Sequence, residues 1–391
     1  MFVEAWLVEL VKGIGKFFLQ PLLYWSIVLV FVAGILRVKR ERKQFGYKLF
    51  KLFSEWKHTW FFSIVTGLVL SIVCLTVGIV FPYEVILLIS IVTILLSVRF
   101  RFSLLSASYI IGVTYLIVLF APTILQQQNI LDPMIFSNIS LVGLSIILGL
   151  FLFIEAFLLF RIKRNETFPR LALSNRGEWI GQHHIKKLAV IPFFMPVPNG
   201  LITSFATYWP FFPVGSETYS LLLFPFLIGI DYTTKRQIPT VVTKEIARKT
   251  MYLAVFVTVF AMISKMNSWF SLLAVLVGII GKEFIHYQQR AKEKNKSSYF
   301  NRGLKVLGII PGTPAERLGI LVGETILKVN GHKITTPDEF YEALQASGSF
   351  FKLDLLDEQG EIRFLQSPLY EGDHYKLGII FTDDPYRQKI S

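Results

Sequence analysis

Histidines at 58, 183, 184, 286, 332 and 374, a cysteine at 74 and a glutamate at 155 are the side chains from which a reactive centre could be built. A membrane metalloprotease needs His-Glu-x-x-His on one helix, which sets two ligands and a base on the same face. None of the histidines stands in that spacing. His183-His184, five residues after Glu178, comes nearest. Adjacent residues point to different faces of a helix, and the pair lies in a basic segment, so it reads as two solvated loop residues. The single cysteine, Cys74, excludes an intramolecular disulfide and a thiolate-rich metal site. No segment could house a soluble serine-protease domain, and no Walker or dinucleotide motif occurs. The expectation is therefore no catalytic residue, no metal, no cofactor and no enzyme activity. Glu155, in "LFLFIEAFLLFR", is an ionisable residue inside an apolar run, which by default hints at function. It stands six residues from Arg161, so snorkelling or a local pair is the competing explanation.

The elements that would position such residues are set by apolar patterning. Hydrophobic residues make up 53% of the chain and charged ones only 17%, well short of the roughly one quarter usual in soluble proteins. The excess sits before residue 285. A helix needs about 20 apolar residues to cross the hydrocarbon core. Runs at 17–36, 60–81, 103–120 and 139–160 meet that need, 82–98 is shorter, and 249–265 with 268–285 reads as a hairpin of two spans. The N-terminal stretch has early acids and no cleavage pattern, so it reads as an interfacial helix rather than a signal peptide. Residues 188–232 hold Pro192, Pro196, Pro198, Pro210, Pro213 and Pro225. Two kinked helices, or a re-entrant loop covered by other helices, are the alternatives there, giving nine or seven spans.

Charge divides the chain in two. Residues 1–296 carry 30 Lys/Arg against 14 Asp/Glu, whereas residues 297–391 carry 10 against 13. The basic residues gather in 37–57, 99–101, 161–187, 235–249 and 282–296, while the alternate loops 121–138 and 213–218 have none. That alternation predicts cytoplasmic basic loops facing anionic lipids, a cytoplasmic C-terminal domain and an outward N-terminus. The slightly acidic tail lacks the footprint of a nucleic-acid-binding domain.

The tail has soluble-domain punctuation. Residues 304–310 read as a strand. Thr313-Pro314-Ala315-Glu316 is a capping-box pattern, Gly319 ends a brief helix, and "TILKVNG" is a strand closed by the turn pair Asn330-Gly331. Thr336-Pro337-Asp338-Glu339 opens a helix to about Ala346. Strands at 351–356 and 361–365 flank a hairpin at Asp357–Gly360, and "YKLGIIF" closes the domain. With "PGTPAERLGILVGETILKVNG" at its front, this order resembles a PDZ domain of the bacterial, circularly permuted kind. The fold class expected is thus a multi-span α-helical membrane domain (1–285), a basic juxtamembrane linker (286–300) and a small α+β PDZ domain (301–391). PDZ domains bind an extended peptide as an added strand. The resemblance implies that Leu377, Gly378 and Ile379 form the apolar–Gly–apolar loop and that Ile379, Ile380 and Phe381 form the receiving strand. Tyr341 and Leu344, with Phe340, would line the helix side. Phe340 and Leu344 also have the spacing of any helix packed on a core, and binding by another face is the alternative.

A polytopic part, then "RVKRERK" after the first span, then a terminal PDZ domain: this architecture resembles the MinJ family, PDZ membrane proteins of division-site placement in Gram-positive rods. The resemblance implies an adaptor at septum and poles that links a DivIVA-like coiled-coil protein to MinD, and so to the division inhibitor MinCD. A PDZ-bearing regulator or partner of an intramembrane protease, or a transporter or secretion component with an accessory PDZ domain, are the alternatives.

Overall fold

The structure is a computed structural model that describes residues 2–128, 139–174, 177–205, 208–212, 218–294, 298–301, 303–348, 350–368 and 377–382. Helix α1 (Phe2–Phe17) precedes α2 (Pro21–Phe45), α3 (Trp60–Val77), α4 (Tyr83–Ser97), α5 (Ala107–Gln128) and α6 (Leu141–Phe160). Three strands follow, β1 (Phe168–Leu173), β2 (Trp179–Thr203) and β3 (Thr218–Thr234), and then helices α7 (Pro239–Ile263) and α8 (Trp269–Lys294). Among the described residues α2, α3, α5, α6, α7 and α8 are long and apolar enough to cross a membrane, and α4 is a shorter apolar helix. The chain is a multi-pass membrane protein. Outside 188–232, each apolar run expected to span contains one of these helices.

Residues 188–232 overturn the two-helix expectation. β2 and β3, which hold most of the described residues there, form a long antiparallel hairpin in continuous register from His183↔Thr234 to Pro198↔Tyr219. The chain returns to the side it left, under cover of helices, as the re-entrant alternative requires, but as strands rather than a loop. The hairpin reaches the middle of the helical layer. Phe151, halfway along α6, stacks on Phe226 at 3.9 Å and meets the edge of Phe193 at 5.4 Å.

Strands in lipid must leave no backbone group unpaired, because each orphan costs several kcal/mol. Between Leu188 and Pro198, even-numbered residues of β2 turn their backbone away from β3, toward α3 and the segments that flank it. There the Leu188 N–H donates to the Glu55 carbonyl (3.1 Å), and the Phe194 N–H donates to Ser71 Oγ of α3 (2.8 Å). The Pro196 carbonyl accepts from the Phe81 N–H (3.2 Å). Pro192, Pro196 and Pro198 all occupy even positions, and Pro225 stands opposite Pro192. The prolines therefore delete donors on the outer edges of the hairpin, where no strand could accept them. α3 comes close enough that a Cβ on Gly67 would land inside the Pro192 carbonyl oxygen. α1 covers the far end of β3, where Gly13 lies against the Leu221 carbonyl.

The tail folds as β4 (Gly308–Ile309), α9 (Pro314–Arg317), β5 (Thr325–Val329), β6 (His332–Lys333), α10 (Pro337–Gln345), β7 (Phe350–Leu356), β8 (Ile362–Pro368) and β9 (Ile379–Ile380). One sheet has the order β6-β5-β7-β8, and β9 returns to pair with β4. This is the permuted PDZ arrangement. The capping box at Thr336 and Glu339 is formed. The one at Thr313 is not: Thr313 Oγ1 donates to the Ile310 carbonyl, and Glu316 instead accepts from the Gly312 N–H. Phe351, Leu353 and Leu355 face the core, whereas Ile362 and Phe364 of edge strand β8 are exposed.

Candidate peptide-binding groove and its seat on the membrane domain

Gly378 and Ile380 direct their carbonyls to the first PDZ strand, accepting from the N–H groups of Ile310 (2.9 Å) and Leu307 (2.7 Å). Ile379 consequently turns its own carbonyl toward α10. That carbonyl accepts the Tyr341 hydroxyl at 3.4 Å. Phe381 sits beneath, its ring 5.4 Å from Phe340 and 6.4 Å from Tyr341. The strand edge onto which a peptide would be added is thus held by Tyr341, which is half-buried.

The predicted site residues separate into three groups. Leu377, Ile379, Phe381, Phe340 and Leu344 are buried together in the PDZ core. Phe340 and Leu344 are both fully buried, as the core-packing alternative expects of an i, i+4 pair. Ile380 points the other way, into a second apolar cluster with Phe45, Phe50, Phe168, Phe300 and Leu307. Gly378 has φ +85° against Thr313, a left-handed backbone position that no side chain can occupy without strain. Tyr375 and Lys376, expected to begin the last strand, lie outside the described residues.

That second cluster seats the PDZ domain on the membrane domain. It joins the end of α2 and strand β1 to the β4–β9 face. Polar contacts frame it. Asn165 Nδ2 donates to the Ile320 carbonyl (2.9 Å), and its Oδ1 accepts from the Val322 N–H (3.0 Å). Asn301 Oδ1 accepts from the Gly181 N–H (3.0 Å), and Ser298 Oγ donates to the Gly181 carbonyl (2.6 Å). Arg164 pairs with Glu358. α8 continues to Lys294, and Phe300 beyond it is buried.

His183 was expected to be solvated; instead it lies in this seat. It is fully buried, its Nδ1 2.8 Å from Thr167 Oγ1 and its ring 4.8 Å from Phe300. Burial pushes its pKa down to about 3, so it is neutral at ordinary pH. His184 faces the opposite way, with Nε2 2.8 Å from Asp231 Oδ1. Strand geometry, not helix geometry, parts them. The segment 37–57, read as a basic cytoplasmic loop facing anionic lipid, is also partly structural. Arg37 is buried, with Nε 2.9 Å from Glu55 Oε1, and donates through Nη1 to Glu41 Oε1 at 2.6 Å. Glu41 Oε2 in turn accepts from the Leu49 N–H (2.9 Å), which sets Leu49 and Phe50 under the PDZ domain.

Within the helices, Glu155 neither reaches water nor pairs with Arg161. It is buried on α6 and ion-paired with Lys282 of α8, and its Oε2 accepts from Ser106 Oγ at 2.7 Å. In the sequence Lys282 falls both within the candidate span 268–285 and among the basic residues of 282–296. Among the described residues no group of three His, Cys, Asp or Glu is placed to hold a metal.

Comparison with known proteins follows these divisions. A family model described as a PDZ domain matches residues 305–353. Over 384 residues the chain is 33% identical to the cell division topological determinant MinJ of Bacillus subtilis (strain 168), covering 97% of this chain and 96% of that protein. A Lacticaseibacillus paracasei protein also named for MinJ is 30% identical over 80 residues, 20% of this chain and 22% of its own length. A Clostridium perfringens protein whose name places it among the zinc metalloproteases is 32% identical over 80 residues, 20% of this chain and 24% of that protein.

Proposed function

Since the chain belongs to the MinJ family of cell-division topological determinants, we propose that it is a membrane-anchored adaptor that places the division inhibitor. In this reading a DivIVA-like coiled-coil protein holds it at septum and poles, and it in turn holds a MinD-like protein and thereby MinCD. The observation that carries the reading is similarity running through membrane and PDZ domains alike, nearly end to end in both proteins. The geometry supports it. The PDZ domain is packed on the end of the membrane domain where α2 carries its basic run, which favours a cytoplasmic face for both. The N-terminal helix lies at the opposite end of the hairpin, which favours an outward N-terminus. The likeness to a metalloprotease is no longer than a PDZ domain and lends no support to catalysis.

The groove between Ile379–Phe381 and α10 is the proposed peptide site, with Tyr341 as its occupant until a partner strand displaces it. Tyr341→Phe removes the hydroxyl from the Ile379 carbonyl while keeping the ring. A freed hydrogen bond of about 0.5–1.5 kcal/mol corresponds to roughly 2–10-fold tighter partner binding. The measurement is affinity of the full chain in nanodiscs for the purified DivIVA-like and MinD-like proteins of the same organism. Unchanged affinity in Tyr341→Phe, with loss on Phe364→Glu at the exposed β8 edge, would place binding on that other face. Gly378 cannot carry this test, because any side chain there collides with Thr313.

A further inference from the structure

Where the apolar run of α2 gives way to charge, a cavity of about 500 Å3 opens between that helix and β1. Lys39, Arg40 and Lys43 reach it from one helical face, and Arg170 faces them from β1. Like charges at i, i+4 repel, and a fourth cation across the gap adds to the repulsion. No ion pair among the described residues relieves it. The nearest helix carboxylate, Glu41, and its neighbour Glu55 are both engaged by Arg37. Arg170 Nε is buried and has no hydrogen-bond partner. Burial and the charge of Arg40 both weaken the hold of Arg170 on its proton, against a smaller pull from Asp231.

The cleft is built rather than incidental. Gln44 clamps the edge of β1 with two bonds, donating to the Leu171 carbonyl (2.6 Å) and accepting from the Leu171 N–H (3.2 Å). That clamp holds Arg170 in place across from α2. Leu36 and Trp179 supply an apolar wall, with Leu36 at 48% exposure on the last apolar turn of the helix. Cations beside an apolar wall and a tryptophan, at the depth where a span leaves hydrocarbon, match a lipid headgroup above its acyl chain.

We propose that this cleft is a site for the phosphate of an anionic membrane lipid, received by Arg170, Lys39, Arg40 and Lys43. It rests on the membrane reading of α2 and goes beyond general attraction of basic loops to anionic lipid. Leu171 lines the cleft and also belongs to the apolar seat of the PDZ domain. A bound lipid would therefore brace the strand on which that domain sits.

The test is native mass spectrometry of the delipidated full chain in detergent, titrated with phosphatidylglycerol, phosphatidylcholine or inorganic phosphate. The expected result is preferential retention of phosphatidylglycerol. Removing both exposed lysines, Lys39→Gln with Lys43→Gln, should weaken it roughly 25-fold, taking about fivefold per cation. Lys244→Gln with Arg248→Gln, exposed on α7, removes the same charge elsewhere and should leave it unchanged. Arg170→Lys keeps the charge but loses the buried Nε–H, and it should weaken retention with an unaltered melting temperature. Equal loss from both double variants would show diffuse surface attraction and overturn the site, leaving the membrane reading intact. Inorganic phosphate bound in preference to phosphatidylglycerol would overturn the lipid assignment.

Discussion

Truncating Glu155 to alanine is expected to cost the membrane domain about 3–5 kcal/mol, because it strands Lys282 as a buried charge without a partner. The ion pair joins α6, the most buried of the spanning helices, to α8, and Ser106 satisfies the second carboxylate oxygen. Removing the glutamate leaves a buried cation without its counter-charge. Removing both should do far less, because a well-packed apolar pair of similar volume can replace a buried ion pair at little or no cost. Glu155→Leu with Lys282→Met is therefore expected to recover most of the loss. Thermal unfolding in nanodiscs, followed by tryptophan fluorescence, measures both variants. If the double variant is as unstable as the single one, the pair is more than mutual charge compensation.

Gly67→Ala should destabilise although it replaces the weaker helix former by the strongest. Propensity alone favours alanine by about 1 kcal/mol. Here the new methyl would occupy the space of the Pro192 carbonyl oxygen, backbone that cannot rotate away. α3 must then draw back from β2, which pulls Ser71 from the Phe194 N–H and exposes an edge donor to lipid. The expected net loss is about 1–3 kcal/mol, the usual range for overpacking. Gly15→Ala in α1, with open space around its Cβ, is the control and should be neutral or stabilising. A stabilised Gly67→Ala would mean that α3 does not seal the hairpin.

The helices were legible because an uninterrupted apolar run of about 20 residues is what a spanning helix needs, and outside 188–232 each such run contains one. The PDZ domain was legible because Thr336, Glu339, Asn330 and Gly331 are local signals whose meaning does not depend on distant residues. The hairpin was not read, because six prolines in an apolar region speak first of broken helices. The signal was nonetheless there: 192, 196 and 198 share one parity, as prolines on one edge of a strand must, and as prolines on one face of a helix need not. Glu155 was seen, but its partner lies 127 residues away, and sequence spacing carries no trace of such pairings. For the same reason the burial of His183 and the apolar seat around Phe168 and Phe300 depend on how two domains dock. For the proposed groove, the strand, the apolar–Gly–apolar loop and Tyr341 are expectations from the PDZ resemblance. That Phe340 and Leu344 lie within the core, and that Ile380 faces the membrane domain, follows from packing.

If this chain positions the division inhibitor from the membrane, as proposed, a fluorescent MinD-like protein in cells of the source organism should depend on it for its distribution. With the chain present the MinD-like protein should be enriched at septa and poles; deletion should disperse it, and resupply should restore it. An unchanged distribution in the deletion strain, with cells of normal length, would contradict the proposal.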